Sequence, residues 1–286
     1  MATISNVNGK KITKIKFEDE IYDVGGGTDW LKEYLDETKD ASYLFCGYVN
    51  YIQTTWYNNL TYERLQKILK YDTTSNVTNM EGMFYYCTKL TTIPLIDTSL
   101  VTKMSNMLEQ CTKLTTIPQL NTINVSTMYA MFRYCEHLTT IPQLNTSNVT
   151  NMNSMFQNCL SLKTIPQLDT RKVTNMRYLF YNCYKLTTID ITHMNITSTS
   201  GSGYFAYNCY SLTKLIIRNM DSIPTLASDA FDGCYHFTGT VNSKYNPQGL
   251  KDGRIYVPDD KVDALKTASG WSTYADIIVP LSTLVE

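Results

Sequence analysis

Between residues 76 and 241 apolar side chains return in a fixed order. The frame is V-T-x-M-x-x-M-F-x-x-C-x-x-L-T-T-I-P-x-L, seen with a single substitution from Val149 to Leu168. Cysteines stand 24 residues apart at Cys87, Cys111, Cys135, Cys159 and Cys183, and prolines keep the same step at Pro94, Pro118, Pro142 and Pro166. A short, strict period of this kind predicts an α/β repeat solenoid in which each unit stacks on the next. Within a unit the methionines, the phenylalanine and the cysteine fall at helical intervals. The expected element is therefore about two helical turns, with Val77, Met80, Met83, Phe84 and Cys87 facing inward. Thr78 and Glu81 have the spacing of a capping box at its start. Leu90 and Ile93 then enter a very short strand, ended by a proline that cannot donate to a sheet ladder. The predicted core is this stripe: Met83, Phe84, Cys87, Cys111, Phe132, Cys135, Phe156, Cys159, Phe180 and Cys183.

The flanks follow different patterns. Residues 1–27 alternate polar and apolar side chains around Asn8-Gly9, a strong hairpin signal, and end in a Gly25-Gly26-Gly27 hinge; they read as a β-rich attachment element. Residues 28–75 read as an N-terminal cap with a degenerate first coil (Ala41 to Gly47). One helix is expected after Thr28 or Asp29 through Leu35, and a second from Thr61 to Lys70. Residues 76–241 are the array, in units of 24–26 residues. Its clock slips late: Gly201-Ser202-Gly203 replaces the usual opening and Asp190 takes the place of the proline, so the array is expected to bend or loosen there. Residues 242–286 form a C-terminal cap, with a last strand at Ile255–Pro258 and a helix through Val262, Leu265 and Trp271.

Charge narrows the function classes. The 286 residues carry 25 basic and 26 acidic groups, a formal net charge of −1, which leaves no electrostatic footprint for nucleic acid. No run approaches the roughly 20 apolar residues of a membrane span, and the opening lacks the apolar stretch of a secretory signal. The expectation is a chain made and folded in a cytoplasm, with no membrane insertion. Its regularly spaced cysteines read as a buried, reduced ladder, since neighbouring helices sit too far apart for disulfides. Ligands 24 apart, with three scattered histidines, do not make a metal site. No catalytic residue, metal or cofactor is expected, and the chain does not read as an enzyme.

Positions that vary inside the constant frame are the candidate contacts. Tyr85, Tyr86, Arg133, Tyr134, Arg177, Tyr178, Tyr181 and Tyr207 would place exposed aromatic and basic groups on the helix side, and tyrosine and arginine are over-represented at binding hot spots. The same variation is also what a tolerant surface produces. The paired threonines (Thr91-Thr92, Thr115-Thr116, Thr139-Thr140, Thr187-Thr188) read as a ladder that stabilises stacked strands.

Units such as Asn148 to Leu162 resemble the BspA-like leucine-rich repeats of bacterial surface proteins. Ala230 to Phe237 resembles that family's alternative A-F-x-G-C-x-x-L form, and the ending from Ile255, with Trp271 to Ala275, is similar to tails that close such arrays in gut Firmicutes and their phages. The resemblance covers roughly residues 41–286. It implies a leucine-rich repeat array with short parallel strands and short helices, used for recognition; family members include adhesins and phage structural proteins. The attachment-like N-terminal element points to a phage tail, fibre or tail-tip protein. Such a protein would sit on the virion after being made in the host cytoplasm. It would meet a bacterial surface protein or glycan through the array and other virion proteins through residues 1–27, and a homo-oligomer is compatible with this layout. The alternatives are a bacterial cell-surface adhesin and a structural or decoration protein.

Overall fold

The computed structural model describes residues 17–18, 20–21, 35–37, 39–45, 48–49, 52–53, 60–69, 71–197 and 199–285. Two antiparallel pairs come first: β1 (Phe17–Glu18) with β2 (Glu20–Ile21), and β3 (Tyr48–Val49) with β4 (Ile52–Gln53). Asn8-Gly9, the glycine hinge and most of the first expected helix lie outside the described residues; residues 35–37 are helical. The second expected helix is α1 (Tyr62–Ile68). The chain then winds into the α/β repeat solenoid foreseen from the period.

Its coils are built differently from the expected helical turns. In the first full unit the N–H groups of Met80, Gly82, Phe84 and Tyr86 donate to the next coil, to the carbonyls of Lys103, Ser105, Met107 and Glu109, at 2.8–3.0 Å. Between them Met83, Tyr85 and Cys87 donate to the carbonyls three residues back. The segment is thus a ribbon of overlapping turns, hydrogen-bonded internally at alternate residues and along the solenoid axis at the others. This alternation requires a left-handed residue every fourth position. Gly82 (φ 58°) and Tyr86 (φ 67°) hold this place in the first full unit, and it recurs at Asn106 and Gln110, Ser154 and Asn158, and Tyr204 and Asn208. A helix would consume all its own donors; the ribbon directs half of them to its neighbour, so each coil templates the next. Accordingly Thr78 and Glu81 form no capping box. The Glu81 N–H is taken by Asn79 Oδ1 at 3.0 Å, an Asx turn repeated at Asn151 and Asn175.

The arc before each proline also departs from the expected strand. It makes one backbone bond per coil, from Thr115 to Thr91 (2.9 Å), Thr139 to Thr115 (3.5 Å), Lys163 to Thr139 (3.0 Å) and Thr187 to Lys163 (3.4 Å). Proline supplies no donor to extend the ladder. Where Asp190 replaces it, a true strand appears: β5 (Thr188–His193) pairs in parallel with β6 (Lys214–Asn219). That sheet continues through β7 (Arg254–Val257) to β8 (Ile278–Pro280), so Ile255–Val257 is not the final strand. The Gly201 region does not loosen either. The extra residues fold into α2 (Thr199–Ser202), while Met176, Tyr178, Phe180 and Asn182 still donate to Gly201, Gly203, Phe205 and Tyr207.

The core is the stripe read from the sequence. Met83, Phe84, Cys87, Cys111, Phe132, Cys135, Phe156, Cys159, Phe180 and Cys183 are all fully buried. Phe132, Phe156 and Phe180 stack nearly parallel with ring centres 5.5–5.6 Å apart. Seven cysteines are buried free thiols. Each donates its S–H to the main-chain carbonyl of the coil before it, as Cys111 does to Phe84 (3.2 Å) and Cys159 to Phe132 (3.1 Å). Burial pushes the thiols of Cys111, Cys135, Cys159, Cys183, Cys209 and Cys234 well above the ordinary cysteine range. A second buried ladder runs the other way: the Thr98, Thr122 and Thr146 hydroxyls donate to the carbonyls of Asn121, Asn145 and Asp169 at 2.8–2.9 Å.

The open end is closed by aromatic packing. After α3 (Tyr235–Thr238) and β7 comes α4 (Val262–Thr267). Trp271 lies past that helix rather than in it, fully buried, with its indole N–H on the Pro224 carbonyl at 2.8 Å. Phe231 meets Trp271, Tyr274 and Phe237 edge to face.

Candidate functional site

Every residue proposed as a contact lies on the turn ribbon. The left-handed residues and those beside them mark its corners, and at Tyr178 and Tyr181 the side chain lies directly over its equivalent in the next coil. Where consecutive coils carry tyrosine, the rings stack. Tyr178 stacks on Tyr204 (5.1 Å between centres, 5° between planes) and Tyr181 on Tyr207 (5.1 Å, 7°). Tyr184 stacks on Tyr210 (4.6 Å), which reaches Tyr235 (5.0 Å) and Tyr245 (4.8 Å). The first two columns touch edge to face, Tyr178 with Tyr181 at 5.6 Å and Tyr204 with Tyr207 at 5.3 Å. Arg177 lies against this sheet of rings, its guanidinium 4.8 Å from the Tyr178 ring centre and its Nη2 donating to the Tyr178 hydroxyl at 3.1 Å. Arg177 Nε is buried and has no partner among the described residues.

The candidates therefore do not form one patch. Arg177, Tyr178, Tyr181 and Tyr207 belong to the tyrosine face just described. Tyr85 and Tyr86 sit together (5.7 Å), with Tyr43 edge-on to Tyr85 at 6.4 Å. Arg133 lies over Tyr134 (5.2 Å) and pairs with Glu109 at 3.4 Å. All eight side chains are half-buried rather than fully exposed. Five members of the large face, Tyr184, Tyr204, Tyr210, Tyr235 and Tyr245, were not singled out from the sequence. Tyr184, Tyr210 and Tyr235 each follow a core cysteine directly, and that repeated Cys-Tyr step was the available signal.

The chemistry of this face is that of a contact surface. Burial, with neighbouring tyrosines adding to it, raises the Tyr181 hydroxyl above its usual range and pushes Tyr210 up to about 12. Both stay neutral at physiological pH, able to donate and accept. Rigid aromatic rings with polar tips give contact area at small entropic cost. Elsewhere on the ribbon, burial lifts the Glu109 carboxyl above the carboxylate range against the pull of Asn106 and Arg133. Among the described residues no three metal-ligating side chains converge, and no helix is long and apolar enough to cross a membrane.

No curated protein matches this chain. Residues 52–160 and 135–245 each match the family described as Mycoplasma protein of unknown function, DUF285. The two matches overlap inside the array and meet the repeat where its ribbon, cysteine ladder and phenylalanine stack are most regular. Between them they span well over half of the chain, which belongs to this repeat family.

Proposed function

We propose that this chain is a non-enzymatic recognition protein that meets its partner through the tyrosine face of residues 177–245. The observation that carries this reading is the three-column stack of rings, held rigid from coil to coil and bordered by Arg177. Such a surface loses little side-chain entropy when a partner covers it, and tyrosine and arginine dominate binding energy where they occur together. In the setting implied by the resemblance to BspA-like arrays, the protein is a phage tail, fibre or tail-tip component contacting a bacterial surface. A bacterial adhesin is the second reading, favoured by the match to a family described as a Mycoplasma protein.

Fluorescently labelled protein offered to a panel of gut bacteria, mammalian cells and matrix proteins tests the proposal. Selective staining of particular bacterial strains supports host recognition, whereas staining of mammalian cells or matrix transfers the reading to the adhesin. Folded protein that binds none of them overturns the recognition role.

A further inference from the structure

A second surface of the same coils carries a site of different chemistry. On the arc after each proline a groove of about 990 Å³ crosses five successive coils, from Leu95 to Thr192. Its floor repeats two carboxamide rungs. In the first, Gln119 donates to the Gln143 carbonyl (2.7 Å) and Gln143 to the Gln167 carbonyl (2.9 Å). In the second, Asn121 and Asn145 accept the N–H groups of Ile123 and Ser147 (3.2 and 3.1 Å). These bonds fix each side chain but use only one end of it. The Gln119 and Gln143 side-chain oxygens, and the Asn121 and Asn145 side-chain nitrogens, have no partner among the described residues. The two middle coils of the groove thus each present one fixed acceptor and one fixed donor.

We propose that this groove binds a linear, neutral glycan lying along the solenoid axis. Charge excludes a polyanion, because the lining cation Arg171 is held by Asp169 (Nη2 to Oδ2 2.6 Å, Nε to Oδ1 3.0 Å). Pitch excludes an extended peptide running in the same direction. Stacked coils repeat about every 4.8 Å, whereas a peptide advances about 3.3 Å per residue and falls out of step with the rungs. One ring of an extended β-linked sugar chain is close to one coil in length, and its hydroxyls both donate and accept. The exposed Leu95 (55%) and Ile123 (48%) supply apolar surface for the C–H faces of the rings. Five coils accommodate about four rings at this pitch. This site shares no residue with the tyrosine face and stands whether or not that face meets a partner.

Titration calorimetry with pentamers of β-1,4-linked glucose and of β-1,4-linked N-acetylglucosamine tests the site. A dimer of each, a polyanionic galacturonate pentamer and a proline decamer serve as comparisons. The expected result is saturable binding of at least one neutral pentamer, at least tenfold weaker for its dimer and absent for the polyanion and the peptide. Gln143→Ala should weaken it at least tenfold, while Tyr181→Ala leaves it unchanged. Should Gln143→Ala disturb folding, Ile123→Glu places a charge at an exposed groove position instead. Absence of binding to both neutral pentamers, equal binding by the folded groove variants, or preference for the peptide or polyanion each overturns the proposal.

Discussion

Replacing Gly82 by alanine separates the turn ribbon from a helix by the sign of its effect. In a helix interior Gly→Ala stabilises by about 0.8–1 kcal/mol. In the ribbon Gly82 holds φ at 58°, and an added Cβ would meet the Tyr43 ring at 2.3–2.8 Å. A residue with a Cβ costs roughly 1–2 kcal/mol in the left-handed region. The loss of unfolded-state freedom returns about 0.4–1 kcal/mol, and the Tyr43 ring must also move. The expected net is a loss of about 1–2 kcal/mol, which for a chain of this size lowers the melting temperature by roughly 2–3 °C. Gln110 supplies the reciprocal test, with φ at 63° and no side-chain hydrogen bond among the described residues. Gln110→Gly should be neutral to stabilising in the ribbon, where a helix would lose about 1 kcal/mol. Urea and thermal unfolding followed by circular dichroism read both variants. A stabilised Gly82→Ala together with a destabilised Gln110→Gly would refute the ribbon.

Three further outcomes follow from the same geometry. Phe156→Ala removes the middle ring of a fully buried stack and should cost about 3–5 kcal/mol in urea unfolding; a loss below 1 kcal/mol would mean the stack is loose. With seven of the eight cysteines described as buried, a thiol reagent at neutral pH should modify at most one per native molecule and all eight after unfolding. Glu109, its pKa raised by burial, contributes stability below its unfolded value and loses it as pH rises through the folded one. Glu109→Gln should therefore gain on the parent protein in urea midpoint as pH climbs from acid to neutral; a difference flat with pH would count against the buried carboxylate.

The period, the core stripe and the closed cysteine ladder were legible in the sequence, because burial repeats with the chain. The local geometry was not. Apolar side chains three and four residues apart line one face of a helix, and they also line the inner edge of overlapping turns. The residue type separates the two only at some of the left-handed corners, Gly82, Asn106, Asn158, Asn182, Asn208 and Gly233, while Tyr86, Gln110, Ala130, Tyr134, Ser154, Tyr178 and Tyr204 give no such signal. Glycine and asparagine recur there because they tolerate positive φ, and helices disfavour both. The strand was misjudged for a related reason. Leu90 and Ile93 have strand character, but Pro94 removes the donor that a ladder needs, so the parallel sheet begins only in the coil where Asp190 takes the proline's place. The tyrosine face is half visible: Tyr181 and Tyr207 stand out as variable positions before a cysteine, whereas Tyr184 and Tyr210, variable positions just after one, were not singled out. The groove was missed because its rungs are constant. Gln119-Leu120-Asn121-Thr122 and Gln143-Leu144-Asn145-Thr146 look like ordinary turn sequence until the coils are stacked.

Recognition through the tyrosine face is tested most directly by one paired measurement. Cells stained by the labelled parent protein are titrated with Tyr181→Ala/Tyr207→Ala, its fold verified by an unchanged circular dichroism spectrum. The account predicts at least tenfold weaker binding by the double variant, the loss expected when two hot-spot rings leave an interface. Equal binding by the two proteins would contradict it.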